Sequence, residues 1–421
     1  MQASATSRRE APSAAERLDA LAFGLLAIVP LGMALVNRSA QPILVAAALA
    51  ALAARAVSGD LGLMRQRILA TLGRPIGLLC LAFLAFGAVS IGWGHHFKTS
   101  IAAYGELLLA SAAALVLHAC LPRPIPAWAL KLATIAFAFG CLSIVVELST
   151  GMAFRMQLGV RSYVFIFKRS VTAMLILFWP LAIHLWFTGR RPIAGALLAL
   201  FCIAVFFAHS SATAMGLAIG LAVALLAAFS LRAASRALAA GLVAAMLVAP
   251  VLGDAAFRLL PPKVVERLNF AHADQRLDVW QSFGEVVKRR PIGGVGFGTS
   301  SRMAQEPVAS EVPSEHRVML GAWHPHNGYL QIWAETGLVG AALAGAALAL
   351  LALGLGRLPL PQGMAGAATL AAAGAIMLVG HGIWQGWWSA VLGIAALWTA
   401  RLPAAGTGEV SPARSRPAPS P

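Results

Sequence analysis

Few side chains in this sequence could do chemistry, and the most suggestive of them meet at one junction. His324-Pro325-His326-Asn327-Gly328-Tyr329 closes a long polar segment, roughly 253–325, and opens an apolar helix running on through Trp333, Glu335, Gly337 and Gly340. A histidine where water meets lipid suits general-base work, because its unperturbed pKa of about 6.5 leaves a neutral, proton-accepting form near pH 7. It can equally be a structural histidine satisfied by its neighbours. His324 and His326 could together hold a metal, but His-x-His supplies two ligands and fixes no third, so no metal is assigned. We read His326 as catalytic, with His324 and Asn327 as substrate contacts. Counted helically from His326, Leu330 and Trp333 share its face while Glu335 points away. Gly337 and Gly340 would let a neighbouring helix approach closely.

The second group is cationic. Residues 149–170 carry Arg155, Arg161, Lys168 and Arg169, with no carboxylate after Glu147. Basic residues are disfavoured in short translocated loops. Two readings stay open: an interfacial helix with snorkelling arginines, or contact of Arg161 or Arg169 with the phosphate of an anionic partner. Further on, a helix over 274–289, stopped by Pro291, puts Arg276 and Trp280 four apart on one face. Such a helix can lie apolar side down on the membrane and present Arg276, with Trp280, to a ligand at the interface. Gly293-Gly294-Val295-Gly296-Phe297-Gly298 resembles a phosphate-cradling loop only superficially, since no strand precedes it and no GKS or GKT ends it, and is read as a flexible turn. Residues 299–320 read as a mobile polar crossing over a cavity, with Glu306, Glu311 and Glu315 near Arg302, His316 and Arg317.

Composition says what must position these groups. Hydrophobic residues make up 59% and charged residues 11%, with mean hydropathy +0.78. A soluble domain has about 25% charged residues, so the chain is an all-α polytopic membrane protein. About twelve apolar runs are long enough to span a membrane: 18–36, 41–57, 75–93, 101–121, 127–148, 165–187, 192–208, 212–231, 236–252, 326–354, 363–381 and 385–402. The expected organisation is a tail over 1–17, helices one to nine over 18–252, a loop over 253–325, helices ten to twelve over 326–402, and a tail over 403–421. Net charge +16 does not signal nucleic acid, because the basic residues concentrate in short loops on one side. With both termini cytoplasmic the chain obeys the positive-inside rule and its long loop is periplasmic. The apolar first run is long for a signal-peptide core and reads as an uncleaved anchor. Cys80, Cys120, Cys141 and Cys202 all fall inside apolar runs and suggest neither a disulfide framework nor a metal site.

Histidine, then Asn, Ser or Gln, nine residues, Gly, two residues, and Gly, Thr or Tyr is a signature of the bacterial O-antigen ligase family. His326, Asn327, Gly337 and Gly340 match it. Arg276-Leu277-Asp278-Val279-Trp280 and the run Pro291–Gly298 are also similar to that family's loop, as is the layout with one large loop before the tenth span. The resemblance rests on residues 276–340. It implies a GT-C-like fold, related to other multispan lipid-dependent glycosyltransferases, without metal or cofactor. It also implies transfer of a polysaccharide from undecaprenyl diphosphate to a sugar hydroxyl, commonly on lipid A-core, at the periplasmic face of the inner membrane. His326 would be the base and Arg276 the diphosphate clamp, with Arg161 and Arg169 as candidates for a second clamp. The chemistry suits these residues, since diphosphate is a good leaving group that needs charge neutralisation, and guanidinium forks supply it. Family members usually carry Ser-Arg or Ser-Lys where this chain has Ser211-Ala212. The implied partners are the lipid-linked glycan, lipid A-core or another glycan acceptor, and membrane lipids, with no nucleic acid. A polymerase of the same superfamily is the sister reading. A secondary transporter is the reading from another class, although the two halves show no similarity and few charges lie at mid-membrane depth.

Overall fold

In lipid a backbone has no hydrogen-bond partner but itself, so an apolar chain of this kind must cross the membrane as helices. The computed structural model describes residues 11–163, 165–259, 261 and 273–402, and no strand occurs among the described residues. The helices in order are α1 (Ala14–Ala27), α2 (Val29–Leu35), α3 (Ala40–Ser58), α4 (Leu61–Leu72), α5 (Pro75–Ser90), α6 (Phe97–Cys120), α7 (Ala127–Ser149), α8 (Ala153–Gln157), α9 (Ile166–Phe187) and α10 (Arg191–Phe207). There follow α11 (Ser211–Phe229), α12 (Leu231–Val248), α13 (Leu252–Leu259), α14 (Ala273–Arg289), α15 (Val308–Glu311), α16 (Ser314–Arg317), α17 (Gly328–Leu355), α18 (Leu360–Val379) and α19 (Gly386–Thr399).

The chain is a polytopic helical membrane protein. Among the described residues nine helices are long and apolar enough to span, or ten if α1 and α2, bent by 47°, form one span. Two further apolar helices stand where the seventh and twelfth spans are expected, but they are short: α10 has 17 residues and α19 has 14. At about 1.5 Å per residue, α19 covers only about 21 Å of a hydrocarbon core about 30 Å thick. The expected order of elements is present, while the number of full-length spans is lower than the apolar runs suggest.

Helix α9 is the central column. Every residue from Ser170 to Ile183 is buried, as expected for a segment apolar on all sides. Phe178 packs against Phe137 of α7 and Phe201 of α10, with ring centroids 5.9 and 5.6 Å away. The first turn of α9 brings Lys168 and Arg169 to the same end of the molecule as His326.

Helix α17 is broken at Gly337, where φ is 59° and ψ −158°. The break frees backbone groups inside the bundle, and the glycine-rich run satisfies them. Val295 N donates to Ala334 O at 2.9 Å, Gly296 N to Glu335 O at 2.8 Å, Leu338 N to Pro291 O at 2.8 Å and Val339 N to Ile292 O at 3.3 Å. The run from Gly294 to Ser300 is buried, so the expectation of a flexible turn is corrected. It is a plug, held because unpaired backbone in an apolar interior costs several kcal/mol per group. Gly337 is needed for this contact and not for helix approach. A Cβ there would lie 2.4 Å from the Ile292 carbonyl, and the positive φ disfavours any L side chain.

Helix α14, expected over 274–289, runs from Ala273 and buries Leu277, Val279, Phe283, Val286 and Val287. Glu306 and Glu311 of the crossing at 299–320 are held by residues outside it, which corrects the expected pairing within it. Arg290 forks onto Glu311 at 2.9 and 2.5 Å. Glu306 is buried and accepts from the amide of His95 at 3.1 Å. Arg317 donates to the carbonyls of Ser310 and Val312, each at 2.7 Å.

Candidate active site

His326 lies just before α17 and not on it. Asn327 is the N-cap, in extended conformation, and its Oδ1 accepts from the amides of Tyr329 and Leu330, both at 3.1 Å. His326 itself has φ of 51°, a left-handed conformation uncommon for a residue with a Cβ. Helical counting from His326 therefore does not apply, and its ring is not on the face of Leu330 and Trp333. The backbone amide of His326 donates to Nδ1 of His324 at 3.2 Å, and the two rings sit 4.2 Å apart between centroids.

This strained position puts the His326 ring between two cavities. One, of about 560 Å³, is bounded by Lys168 and Thr172 of α9, Ser211 and Ala212 of α11, Arg276 of α14, and His381 in the α18–α19 connection. The other, of about 660 Å³, is bounded by Arg38, Glu106, Arg169, Trp323, Gln331 and Trp384, with His324 and Glu335. His326 lines both. Among the described residues the wall of the first cavity has two cationic side chains, Lys168 and Arg276, and no carboxylate.

The imidazoles are kept neutral at pH 7. Burial lowers the His326 pKa below 6.5, the Arg276 charge lowers it further, and a backbone hydrogen bond to Gly380 acts the other way. Burial brings His381 down to about 4, helped by the charges of Arg169, His326, Arg276 and Lys168. Burial and the neighbouring His326 hold His324 well below the usual range. A neutral imidazole beside a cationic wall can take a proton from a hydroxyl, and the wall can receive an anion.

Glu335 supports the second cavity. It is fully buried, and its four partners are all donors: Gly298 N at 2.5 Å, Ser300 N at 3.3 Å, Gln331 Nε2 at 2.9 Å and Trp384 Nε1 at 2.5 Å. It thereby ties the glycine-rich plug, α17 and the α18–α19 connection into one unit. Among the described residues no cluster of three or more His, Cys, Asp or Glu side chains is placed to hold a metal.

A family model described as O-antigen ligase matches residues 194–345. Over that stretch the chain is similar to the O-antigen ligase family. The family comprises glycosyltransferase-like ligases and polymerases. No curated protein matches the chain. The matched region contributes Arg276, His324, His326 and Glu335, whereas Lys168 and Arg169 of α9, Arg38 before α3, and His381 and Trp384 of the α18–α19 connection lie on either side of it. Both cavities are completed by the rest of the bundle.

Of the residues singled out in the sequence, His326 and Arg276 meet in the first cavity, and His324 and Arg169 face the second. Arg161 is exposed and lines neither, its carbonyl near Arg155 Nη1 at 3.5 Å. Asn327 is 1% exposed and serves as a helix cap, not as a cavity wall. Trp280 packs against the apolar core around α14, while Val279 joins Arg276 in the cavity wall. Sequence reasoning passed over Lys168, His381, Glu335 and Trp384 as site residues. The departure at Ala212 was the available signal for Lys168. Ala212 lines the cavity where a family cation is expected, and Lys168 of the adjacent helix lines the same cavity.

Proposed function

We propose that this protein is an O-antigen ligase, which moves a polysaccharide from undecaprenyl diphosphate to a sugar hydroxyl of lipid A-core at the periplasmic face of the inner membrane. The observation that carries this reading is that His326 lines two cavities, one of them lined by Lys168 and Arg276 with no carboxylate among the described residues. The donor diphosphate lies in the first cavity against Arg276 and Lys168. The acceptor enters the second, where Gln331, Trp384, Glu106 and Arg169 offer the mixture of amides, rings and charges that suits a sugar.

The acceptor hydroxyl gives its proton to His326 as its oxygen bonds to the anomeric carbon of the donor sugar. The bond from that carbon to the phosphate oxygen breaks, and the electron pair leaves on the diphosphate. Its charge is met by Arg276 through a planar fork and by Lys168 as a point charge. His326 then releases its proton to solvent, and undecaprenyl diphosphate departs. Arg169, facing the acceptor side, is an acceptor contact in this reading and not a second donor clamp.

The polymerase reading differs only in the acceptor, which would be a second lipid-linked glycan. Purified protein in detergent, given a defined undecaprenyl-diphosphate glycan and lipid A-core, separates the readings. Glycan on lipid A-core supports the ligase, while a longer lipid-linked glycan supports the polymerase. Absence of transfer with either acceptor would overturn both and return attention to transport across a sealed bilayer.

A further inference from the structure

At the far end of the bundle from His326, a third cavity of about 430 Å³ is bounded by Arg67 of α4, Arg74 just after it, His118 of α6, and Leu121 and Arg123 beyond α6. Helix α6 measures the separation, since Thr99 and Glu106 line the second cavity near its start and His118 lies close to its end. His118 lies twelve residues beyond Glu106 and nineteen beyond Thr99, which at about 1.5 Å each puts roughly 18–28 Å between the two sites. No carboxylate lines this cavity, and Arg67, Arg74 and Arg123 make no salt bridge among the described residues. Arg67 donates to the Ala119 carbonyl at 3.0 Å and Arg123 reaches His118 Nε2 at 3.5 Å, while the Arg74 side chain makes no hydrogen bond among the described residues. Arg401 stands beside them, 1% exposed. Its Nη2 is engaged by carbonyls of α6 and Leu121, whereas Nε and Nη1 are without a partner among the described residues.

The positive-inside rule accounts for many basic residues on one face of a membrane protein. It does not account for their convergence on one concavity, or for a guanidinium buried beside it. A second observation concerns lipid directly. Helix α4 buries none of its residues, and Leu61, Leu63 and Leu69 are 43%, 46% and 57% exposed. Exposed leucines interleaved with Arg65 and Arg67 on one short helix fit an interfacial helix, apolar side chains against acyl chains and arginines at headgroup depth.

We propose that this cavity binds the headgroup of an anionic phospholipid, with its phosphates between Arg67, Arg74 and Arg123 and its acyl chains along α4. Three guanidiniums around one cavity favour a headgroup bearing two phosphates, so diphosphatidylglycerol is the probe of choice. The proposal is independent of the chemistry assigned to His326.

The test uses full-length protein in neutral detergent, stripped of lipid, with its unfolding temperature followed as lipid is added. Diphosphatidylglycerol is expected to raise the midpoint of the wild type, and phosphatidylcholine is not. In Arg74→Gln/Arg123→Gln the concentration needed is expected to rise about thirtyfold, at about a factor of five per arginine. Arg74→Gln alone removes no hydrogen bond among the described residues and should shift it about fivefold, so the outcome does not depend on the double variant folding. Glycan transfer in detergent is expected to be unchanged in both variants. An equal response to phosphatidylcholine, or no change in response in either variant, overturns the proposal. A midpoint raised as much by inorganic phosphate at matched concentration would make this a free-anion site and overturn the lipid assignment.

Discussion

Glu335→Gln changes one atom of a fully buried side chain and should have a large effect. Oε1 accepts from Ser300 N and Gln331 Nε2, and Oε2 accepts from Gly298 N and Trp384 Nε1. Whichever way the new amide is turned, its NH₂ faces two donors. Two buried N–H groups then lose their acceptor, at about 1–3 kcal/mol each, so the variant should be less stable by about 2–6 kcal/mol. Because Trp384 and Gly298 bound the second cavity, transfer should fall with stability, while donor binding in the first cavity should persist. Titration with SDS in mixed micelles, followed by tryptophan fluorescence, measures the first effect, and binding of labelled lipid-linked glycan measures the last. A Glu335→Gln protein within about 0.5 kcal/mol of wild type, the range of a neutral surface change, would refute the role of Glu335 as a tie between three elements.

His326→Ala should reduce transfer by about 10²–10⁴-fold while donor binding and membrane insertion are retained, read by product formation and a binding assay. Arg276→Lys should lose most of its activity despite keeping the charge, because an ammonium cannot fork onto two phosphate oxygens; wild-type rates would argue for a simpler electrostatic role. Transfer should hold through pH 6.5 and decline only as pH falls through the lowered pKa of His326, because the protonated ring cannot act as a base. Stability should decline with falling pH as well. The folded imidazoles titrate below their unfolded value, so the unfolded chain takes up protons first. Stability is thus intact above about 6.5 and is lost as pH falls towards about 4, the value for His381. Unfolding midpoints between those limits should change less steeply with pH in His381→Gln.

What was legible in the sequence was whatever depends on composition and local spacing. Apolar runs gave the helices and their order, and Pro291 marked the end of the α14 region correctly. His326 and Arg276 stood out because charge is scarce in this chain, and they do share a cavity. Tertiary pairing left less trace. Lys168 and Arg169 are adjacent in sequence, yet successive positions on a helix diverge by about 100°, so each faces a different cavity. His381 carries no signal in its own neighbourhood. The glycine-rich run looked mobile because its partner, the break at Gly337, lies some forty residues further on. Asn327 looked like a substrate contact because capping and sugar recognition both favour the same amide.

The break at Gly337 also sets a measuring length. Helix α14 leads through Pro291 into the plug, the plug is bonded across Gly337, and α17 runs back from there to His326. Arginine and histidine therefore belong to one closed mechanical circuit, and the ten residues between His326 and Gly337 act as its ruler. Removing one residue from that interval would keep the seam intact yet swing the imidazole about 100° around the helix axis. The spacing between His326 and Gly337 is then geometry as much as chemistry: a fixed stem that sets the azimuth of the base.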